Sequence, residues 1–546
     1  MSISKMKKLV LAAPCDGVDS VIKKLISLRC IAIDEFSQKE SAGLLNKKSY
    51  DGEINAKSTR VDDIQSVIVA LSKYTKTRIS LGDGRKKRDR DEFVSSGDYD
   101  TACSIFEKAH SAISALDAQK DGQEDNEKTN ALVGEISALA CHLDDLCMLY
   151  DIEKTNLEVI KVKEKAAYSD TCAFILGWMP KKAQERVEIA LSELLCAYEI
   201  TDPDEDDEPP VRVSNNFVTR CFEWITSGFG TPKYYSFDPT LIMSIFCFFG
   251  FGLMIHDVGY GLILSILGLA GSRLVGMRGK SKEIFNMLGV CGFSSMIFGV
   301  LLGGWFGNMP YAIMQNFLGI ENAAEVMPFF DGVWFKAARN PIFYLALCLG
   351  LGAIQIIVRM IVRLVLLCRE GRVMDAMLDI IPWFVVFAGI AVVFAINLVA
   401  GLVTIGVGAL MILAFHGREK KGFLARLGGG ALGIGKISIY VIGLANFLKI
   451  FVVGISIGIL THYVNLLSTL AGNTTWGYVL FAVASVIGHG ICLAFAAISS
   501  VAFVKSIQHS EFFKHIDVCG GGEFVALEPC EEYTLDVCRK VKVEAV

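Results

Sequence analysis

Several signals are missing from this sequence, and each absence excludes something. Its 16 cysteines include no C-x-x-C pair and no Cys/His grouping at zinc spacing, so they read as small buried hydrophobes in a reducing compartment, with no disulfide and no metal expected. Neither G-x-x-x-x-G-K-[ST] nor G-x-G-x-x-G after a strand occurs, which removes the common phosphate-cradling loops. Any ATP chemistry therefore belongs to another chain, no cofactor is expected, and the chain alone is not an enzyme. Residues 1–8 lead into a short apolar run with Asp16 soon after, which is not the pattern of a signal peptide. No convincing internal repeat is present, and this weighs against a secondary transporter built from duplicated halves.

What the sequence has is apolar length. The 546 residues carry 53 Lys+Arg against 58 Asp+Glu, and the mean hydropathy of +0.45 is concentrated after residue 235. Eight apolar runs are predicted as spans at 239–255, 258–272, 284–306, 342–366, 379–396, 399–415, 436–467 and 477–507, the first two short and meeting at His256 and Asp257. The connections 273–283, 368–377 and 416–434 hold ten Lys or Arg residues, whereas the opposite connections hold two, Lys336 and Arg339. By the positive-inside rule the basic side is cytoplasmic, and an even number of spans puts both termini there. The expected fold is an α-helical membrane protein with eight transmembrane helices, the last two long and tilted, plus an N-terminal cytoplasmic α/β and coiled-coil stalk domain. Its expected divisions are 1–200 for the stalk, 201–235 for an acidic, proline-bearing linker, 236–508 for the membrane domain and 509–546 for a cytoplasmic tail.

In the stalk, residues 7–14 (KKLVLAAP) read as a strand, 18–28 as an amphipathic helix and 30–34 (CIAID) as a second strand, a small β-α-β start. Leu132, Ile136, Leu139, Leu143, Leu146 and Tyr150 recur at spacings of four and three, the mark of a coiled-coil seam. Ordinary bundle packing is the plainer alternative, because the run lasts under three heptads. The charged stretches 82–91 and 120–128 are expected as exposed loops. Asp83, Asp89, Asp91 and Glu92 lie in or beside the basic run, which favours a solvated loop over a nucleic-acid surface.

One charge stands out. Lys449 lies near the middle of the run 437–466, where an ammonium costs several kcal/mol on insertion scales and by default marks ion handling or a partner's charge.

Several motifs occur together and in order: FILGWMP at 174–180, DDEPPVRVSNN at 206–216, GTPKYYSFDPT at 230–240, HDVGYGLI at 256–263, GVLLGGWFG at 299–307, GAIQII at 352–357, DIIPW at 379–383, Gly488-His489, EFF at 511–513 and GGGEF at 520–524. With eight spans and a cytoplasmic stalk, this set closely resembles the membrane subunit I, or subunit a, of the V/A-type rotary ATPases, over nearly the whole chain. The resemblance implies a stator of the bacterial or archaeal type in a bacterial cell (inner) membrane. Its implied partners are a proteolipid ring of c/K subunits, peripheral-stalk subunits of E/G type, the soluble ATPase head and central-stalk subunits, and lipid, with no nucleic acid. Two half-channels would carry H⁺ or Na⁺ to and from a ring carboxylate, separated by a family arginine whose guanidinium stays charged even when poorly solvated. The chain is short for that family, and the shortfall falls in the soluble part.

The sequence departs from the family pattern where it matters most. The arginine of the S-Y-x-R-L stretch falls on Lys449 in Asn446-Phe447-Leu448-Lys449-Ile450, with Gly454 and Asn465 at the expected distances. The second family arginine falls on Ser506, beside Lys505, and an asparagine after Gly488-His489 falls on Cys492. At about 100° per residue Lys505 points to another part of the helix. An ammonium supplies the same charge but gives up its proton more readily than a guanidinium when desolvated. The implied translocation residues are Lys449, Lys505, Ser506, His489, Asp257 and Glu511. Helix capping by Asp257 and interhelical bonding by His489 are the plainer alternatives. Glu511 is expected at the cytoplasmic interface as an inter-subunit contact, and Arg359 and Arg363 are expected to snorkel to the surface. Residues 473–475 match a glycosylation sequon. Two alternatives to an ion-translocating stator stay open: a divergent paralogue that assembles without pumping, and an unrelated secondary ion transporter.

Overall fold

The computed structural model describes residues 3–36, 46–74, 85–120, 126–204, 207–275, 277, 279–333, 336–337, 340–418, 420–470, 472–516 and 519–536. Residues 82–84 and 121–125 of the charged loops, Glu205 and Asp206 of the linker, and Arg278 and Arg339 among the loop charges lie outside these. The chain divides into two units, Met1–Ser214 with Gly521–Val546, and Asn215–Gly520. Residues 521–536 thus fold with the N-terminal unit, and 509–516 and 519–520 with the second.

The second unit is helical. Six stretches among the described residues are long and apolar enough to cross a membrane: Gly279–Leu302, Pro341–Arg369, Val373–Ala395, Leu398–Phe415, Phe423–Ser468 and Thr475–Glu511. Of the eight expected runs, the first two form shorter apolar helices, Thr240–Ile255 and Val258–Leu274, that meet at His256 and Asp257. The connection 416–434 was expected as a loop. Most of it is the helix Phe423–Gly435, the start of a helical stretch that reaches Ser468 over 46 residues. Its glycines read as loop formers by propensity. In the fold they permit close packing instead: a Cβ on Gly430 would collide with the carbonyl of Leu413. Arg418 just before this helix is pinned by two carboxylates, Asp379 and Asp375, each at 2.5 Å.

The first unit is built on a sheet. Its strands are β1 (Met6–Pro14), β2 (Ala32–Asp34), β3 (Asn46–Lys47), β4 (Lys86–Arg88), β5 (Ala167–Tyr168), β6 (Cys172–Pro180) and β7 (Ala197–Thr201). All but β4 form one sheet in the order β3-β5-β6-β1-β7, with β2 also on β6. Leu9, Leu11 and Ala13 alternate into the core of β1, as a two-residue period requires. The helix Val18–Leu28 covers them with Val18, Val21, Ile22, Leu25 and Ile26. The β-α-β start is split: β6 lies between β1 and β2 and runs antiparallel to both. β6, the helix Gln184–Ser192 and β7 repeat the device around β1, which gives the β2-β6-β1-β7 order of a ferredoxin-like sheet.

Between β2 and β6 the chain inserts four main helices, Asp51–Ser72, Asp98–Lys120, Asn126–Leu139 and Leu143–Lys165. They close on a core that includes Ile64, Leu71, Ala109, Ile136, Leu146 and Leu149. The seam from Leu132 to Tyr150 is broken by a 3-10 turn at Ala140–His142, so it spans two helices and not one continuous coiled coil.

The C-terminal segment is held on this unit by a buried carboxylate. Asp151 accepts backbone N–H groups from Glu532 at 3.0 Å, Tyr533 at 3.2 Å and Thr534 at 2.8 Å, and the Thr534 hydroxyl at 2.7 Å. Such a shell of donors is what makes a buried negative charge tolerable. Thr534–Asp536 then pairs in parallel with β4. Arg29 pairs with Glu531, whose carbonyl takes a 2.9 Å bond from Arg85. Burial alone would raise the Glu531 carboxyl, but the bond from Arg29 and the charges of Arg29, Arg90 and Arg85 hold it below the usual carboxylate range.

A carboxyl depressed on folding supports docking at pH above its ordinary value and loses that support as pH falls through the folded value. The segment is therefore expected to loosen in acid. In the full-length chain, Asp151→Ala should speed hydrogen exchange of the 532–534 amides by about tenfold or more at neutral pH, because bonds to a charged acceptor are among the stronger ones. Exchange as slow as in the native chain would contradict this role of Asp151.

Candidate functional site

The helices Leu448–Ser468 and Thr475–Glu511 pack as antiparallel neighbours, because Asn446 contacts Glu511, Lys449 contacts Ser506 and Asn465 contacts His489. Lys449 is half-buried as a residue, and its ammonium donates to Ser506 Oγ at 3.3 Å in an exposed contact. No carboxylate among the described residues pairs with it. Its surroundings include the exposed apolar side chains of Leu448, Val452 and Phe503. The two positions where the family pattern carries arginine are thus brought together, one as a cation and the other as a small hydroxyl. Lys505 faces elsewhere, with Nζ 5.2 Å from the Trp224 ring centroid and 5.7 Å from that of Phe229. That cradle supplies cation–π stabilisation.

One turn before Lys449 lies a buried ion pair. Arg359, 4% exposed, donates through Nη1 to Glu511 Oε2 at 3.2 Å and to the Glu511 carbonyl at 2.9 Å. Asn446 Nδ2 donates to the other carboxylate oxygen at 2.7 Å. A Cβ on Gly443 would collide with Glu511 Oε2, so the glycine makes room for the carboxylate. Below the pair, Gln355 Nε2 donates to Gln508 Oε1 at 2.7 Å. Arg359 therefore does not snorkel: it is turned inward onto a carboxylate, whereas Arg363 one turn on is exposed. Glu511 is buried within the chain at 2% exposure and is not a free interface contact.

Toward the other end of the same helices, the Tyr260 hydroxyl lies 2.7 Å from His489 Nδ1, and His489 Nε2 lies 3.0 Å from Asn465 Oδ1. Asn465 Nδ2 is committed to the carbonyl of Phe306 at 2.8 Å and to Asn308 Oδ1 at 3.0 Å. The Asn465 oxygen therefore accepts from His489 Nε2–H, which leaves Nδ1 to accept from Tyr260. Each polar group is satisfied with a neutral imidazole. A cavity of about 330 Å³ lies beside this network, lined by Tyr260, Phe306, Ser485 and His489 among mostly apolar neighbours.

Asp257 caps the helix that begins at Val258: one carboxylate oxygen accepts from Tyr260 N–H at 2.9 Å and the other from Gly307 N–H at 2.7 Å. Among the six candidates, then, Lys449 and Ser506 meet, His489 and Asp257 both engage Tyr260, and Lys505 and Glu511 occupy separate surroundings. Tyr260 and Asn446 were visible only as letters inside quoted motifs. Their signal was a polar residue within an apolar run, but nothing in the linear pattern gave their partners.

Residues 107–304 match the V-type ATPase 116kDa subunit family. Over 467 residues, 80% of this chain, it is 24% identical to the A-type ATP synthase subunit I of Methanocaldococcus jannaschii. It is 25% identical over 403 residues, 72% of the chain, to the protein of the same name from Methanothermobacter thermautotrophicus, and 26% identical over 186 residues, 34% of the chain, to the V-type ATP synthase subunit I of Borreliella burgdorferi. The chain spans 65%, 57% and 29% of these relatives' lengths, less than two thirds in each case.

The closed hydrogen-bond network makes a direct prediction. His489→Leu should strand the Tyr260 hydroxyl and the Asn465 oxygen, at about 1–3 kcal/mol for each buried polar group left unpaired, and lower the thermal unfolding midpoint in detergent. A midpoint equal to the native one would show that the network does not hold these helices together.

Proposed function

We propose, given that the chain belongs to the V/A-type ATPase subunit I family, that it is the membrane stator of a rotary ATPase and couples H⁺ or Na⁺ movement to ATP hydrolysis or synthesis on other subunits. The observation that carries this is Lys449: an ammonium on an apolar helix face that, among the described residues, is held by the Ser506 hydroxyl and by no carboxylate. A cation with no anion of its own is suited to meet a carboxylate brought by another chain. In a proteolipid ring each helix would present one. Lys449 would draw the ring carboxylate into its charged form, release its ion, and block direct passage between two half-channels. The membrane potential works against such a plug with about 2.3 kcal/mol per charge per 100 mV, so the charge must be fixed in place.

The assembly follows from the same proposal. The chain would face a ring of c/K subunits and reach peripheral-stalk subunits of E/G type, the ATPase head and the central stalk through its soluble unit. All eight apolar runs would cross a bacterial inner membrane, the two short helices included, with both termini cytoplasmic. The folding of the first and last segments into one unit supports an even number of crossings. Lys505 would serve the cytoplasmic end of the path. His489 and Asp257 would shape its opposite end by holding Tyr260 and the short helices, without binding the ion. A second proposal, a divergent paralogue that assembles without pumping, draws on the replacement of both family arginines by Lys449 and Ser506.

ATP-driven ion uptake by vesicles holding the assembled complex separates the two. Lys449→Ala should cut uptake by about tenfold or more while the subunits stay together, and Lys449→Arg should keep most of it, because only the fixed charge is required. Native vesicles that take up no ion, with no change in Lys449→Ala, would favour the paralogue.

A further inference from the structure

Two cations and one carboxylate compete in the region of Lys449. On antiparallel helices where Lys449 contacts Ser506 and Asn446 contacts Glu511, Lys449 is three residues from Asn446 and Ser506 is five from Glu511. At about 1.5 Å per residue, roughly 5–8 Å of helix axis separates the ammonium's level from the carboxylate's. A lysine side chain can close that gap, and poorly solvated opposite charges attract strongly. Left alone, Glu511 is a local partner for Lys449. A Lys449 so neutralised has nothing to offer a carboxylate from another chain.

The structure gives Glu511 to Arg359 instead. The guanidinium binds both the carboxylate and the carbonyl of Glu511, Asn446 takes the second carboxylate oxygen, and Gly443 leaves space for the group. The Tyr440 ring lies on the guanidinium at 5.7 Å. A guanidinium suits this place because it stays charged when buried and donates to several acceptors at once. We infer that Arg359 is a positioning residue, which holds Glu511 away from Lys449 and so keeps the Lys449 ammonium free for a carboxylate outside the chain. This rests on the proposed function for its consequence, and on the ion pair for its geometry.

Two readouts on the assembled complex test it. The first is a zero-length cross-link between Lys449 and Glu511, formed with a membrane-permeant carbodiimide and read by peptide mass spectrometry. The native complex is expected to give none or a trace, and Arg359→Gln about tenfold more, because the freed carboxylate turns to the nearest ammonium. The second is ATP-driven ion uptake. Arg359→Gln should lower it about tenfold, while the double variant Arg359→Gln/Glu511→Gln and the conservative Arg359→Lys should each recover to within about threefold of native.

A role in packing alone would leave the double variant as impaired as the single one, and that result overturns the inference. So does a native complex that cross-links as readily as Arg359→Gln. If Arg359→Gln fails to assemble, the native complex decides by the cross-link: none or a trace between Lys449 and Glu511 supports the inference, and a cross-link in a large share of the complexes overturns it. If the native complex moves no ion, the proposed function falls, while the cross-link comparison still settles the placement of Glu511.

Discussion

A charge placed among apolar helices needs a partner, and this chain distributes its partners unevenly. Glu511 has a guanidinium, an amide and a space cleared by a glycine, whereas Lys449 has one serine hydroxyl. Removing one member of a buried ion pair typically costs about 3–5 kcal/mol, so the Arg359–Glu511 pair fastens the helices Pro341–Arg369, Ile437–Asn446 and Thr475–Glu511 to one another. Lys449 then stands on a rigid frame without being part of it. That difference makes it the candidate for exchange with another subunit.

The same accounting holds elsewhere in the chain. Glu153 in the first unit is 1% exposed and takes a 2.5 Å bond from Lys57 and a second from the Tyr99 hydroxyl. Asp151 beside it is filled by backbone donors of the C-terminal segment. In the membrane unit, Tyr260, His489 and Asn465 close their hydrogen bonds among themselves and the Phe306–Asn308 turn. Buried polar groups with complete partner sets specify structure. Lys449, with one neutral acceptor among the described residues, differs from these groups and points outward.

Much of this could be read along the chain, and the limits are physical. Periodicity marks the core positions of β1 and of the helix Val18–Leu28, because each element exposes its burial pattern locally. It cannot show that β6, more than 130 residues beyond β2, inserts between β1 and β2. Lys449 announces itself as a charge in an apolar run, and its neighbour Ser506 followed from aligning two motifs. Arg359 read as a snorkelling side chain because its partner lies 152 residues away. The helix Phe423–Gly435 was hidden by its glycines, which lower helix propensity but let helices touch. The docking of residues 530–534 on Asp151 left no trace in sequence, since the donors are backbone N–H groups that any residue but proline carries.

The most direct measurement of the central claim is passive ion flow through the assembled complex in vesicles without nucleotide, driven by an imposed membrane potential. If the fixed charge of Lys449 separates the two half-channels, native and Lys449→Arg vesicles hold the potential and Lys449→Ala vesicles discharge it. Lys449→Ala vesicles as tight as native ones would contradict the account, because the barrier would then lie somewhere other than this ammonium.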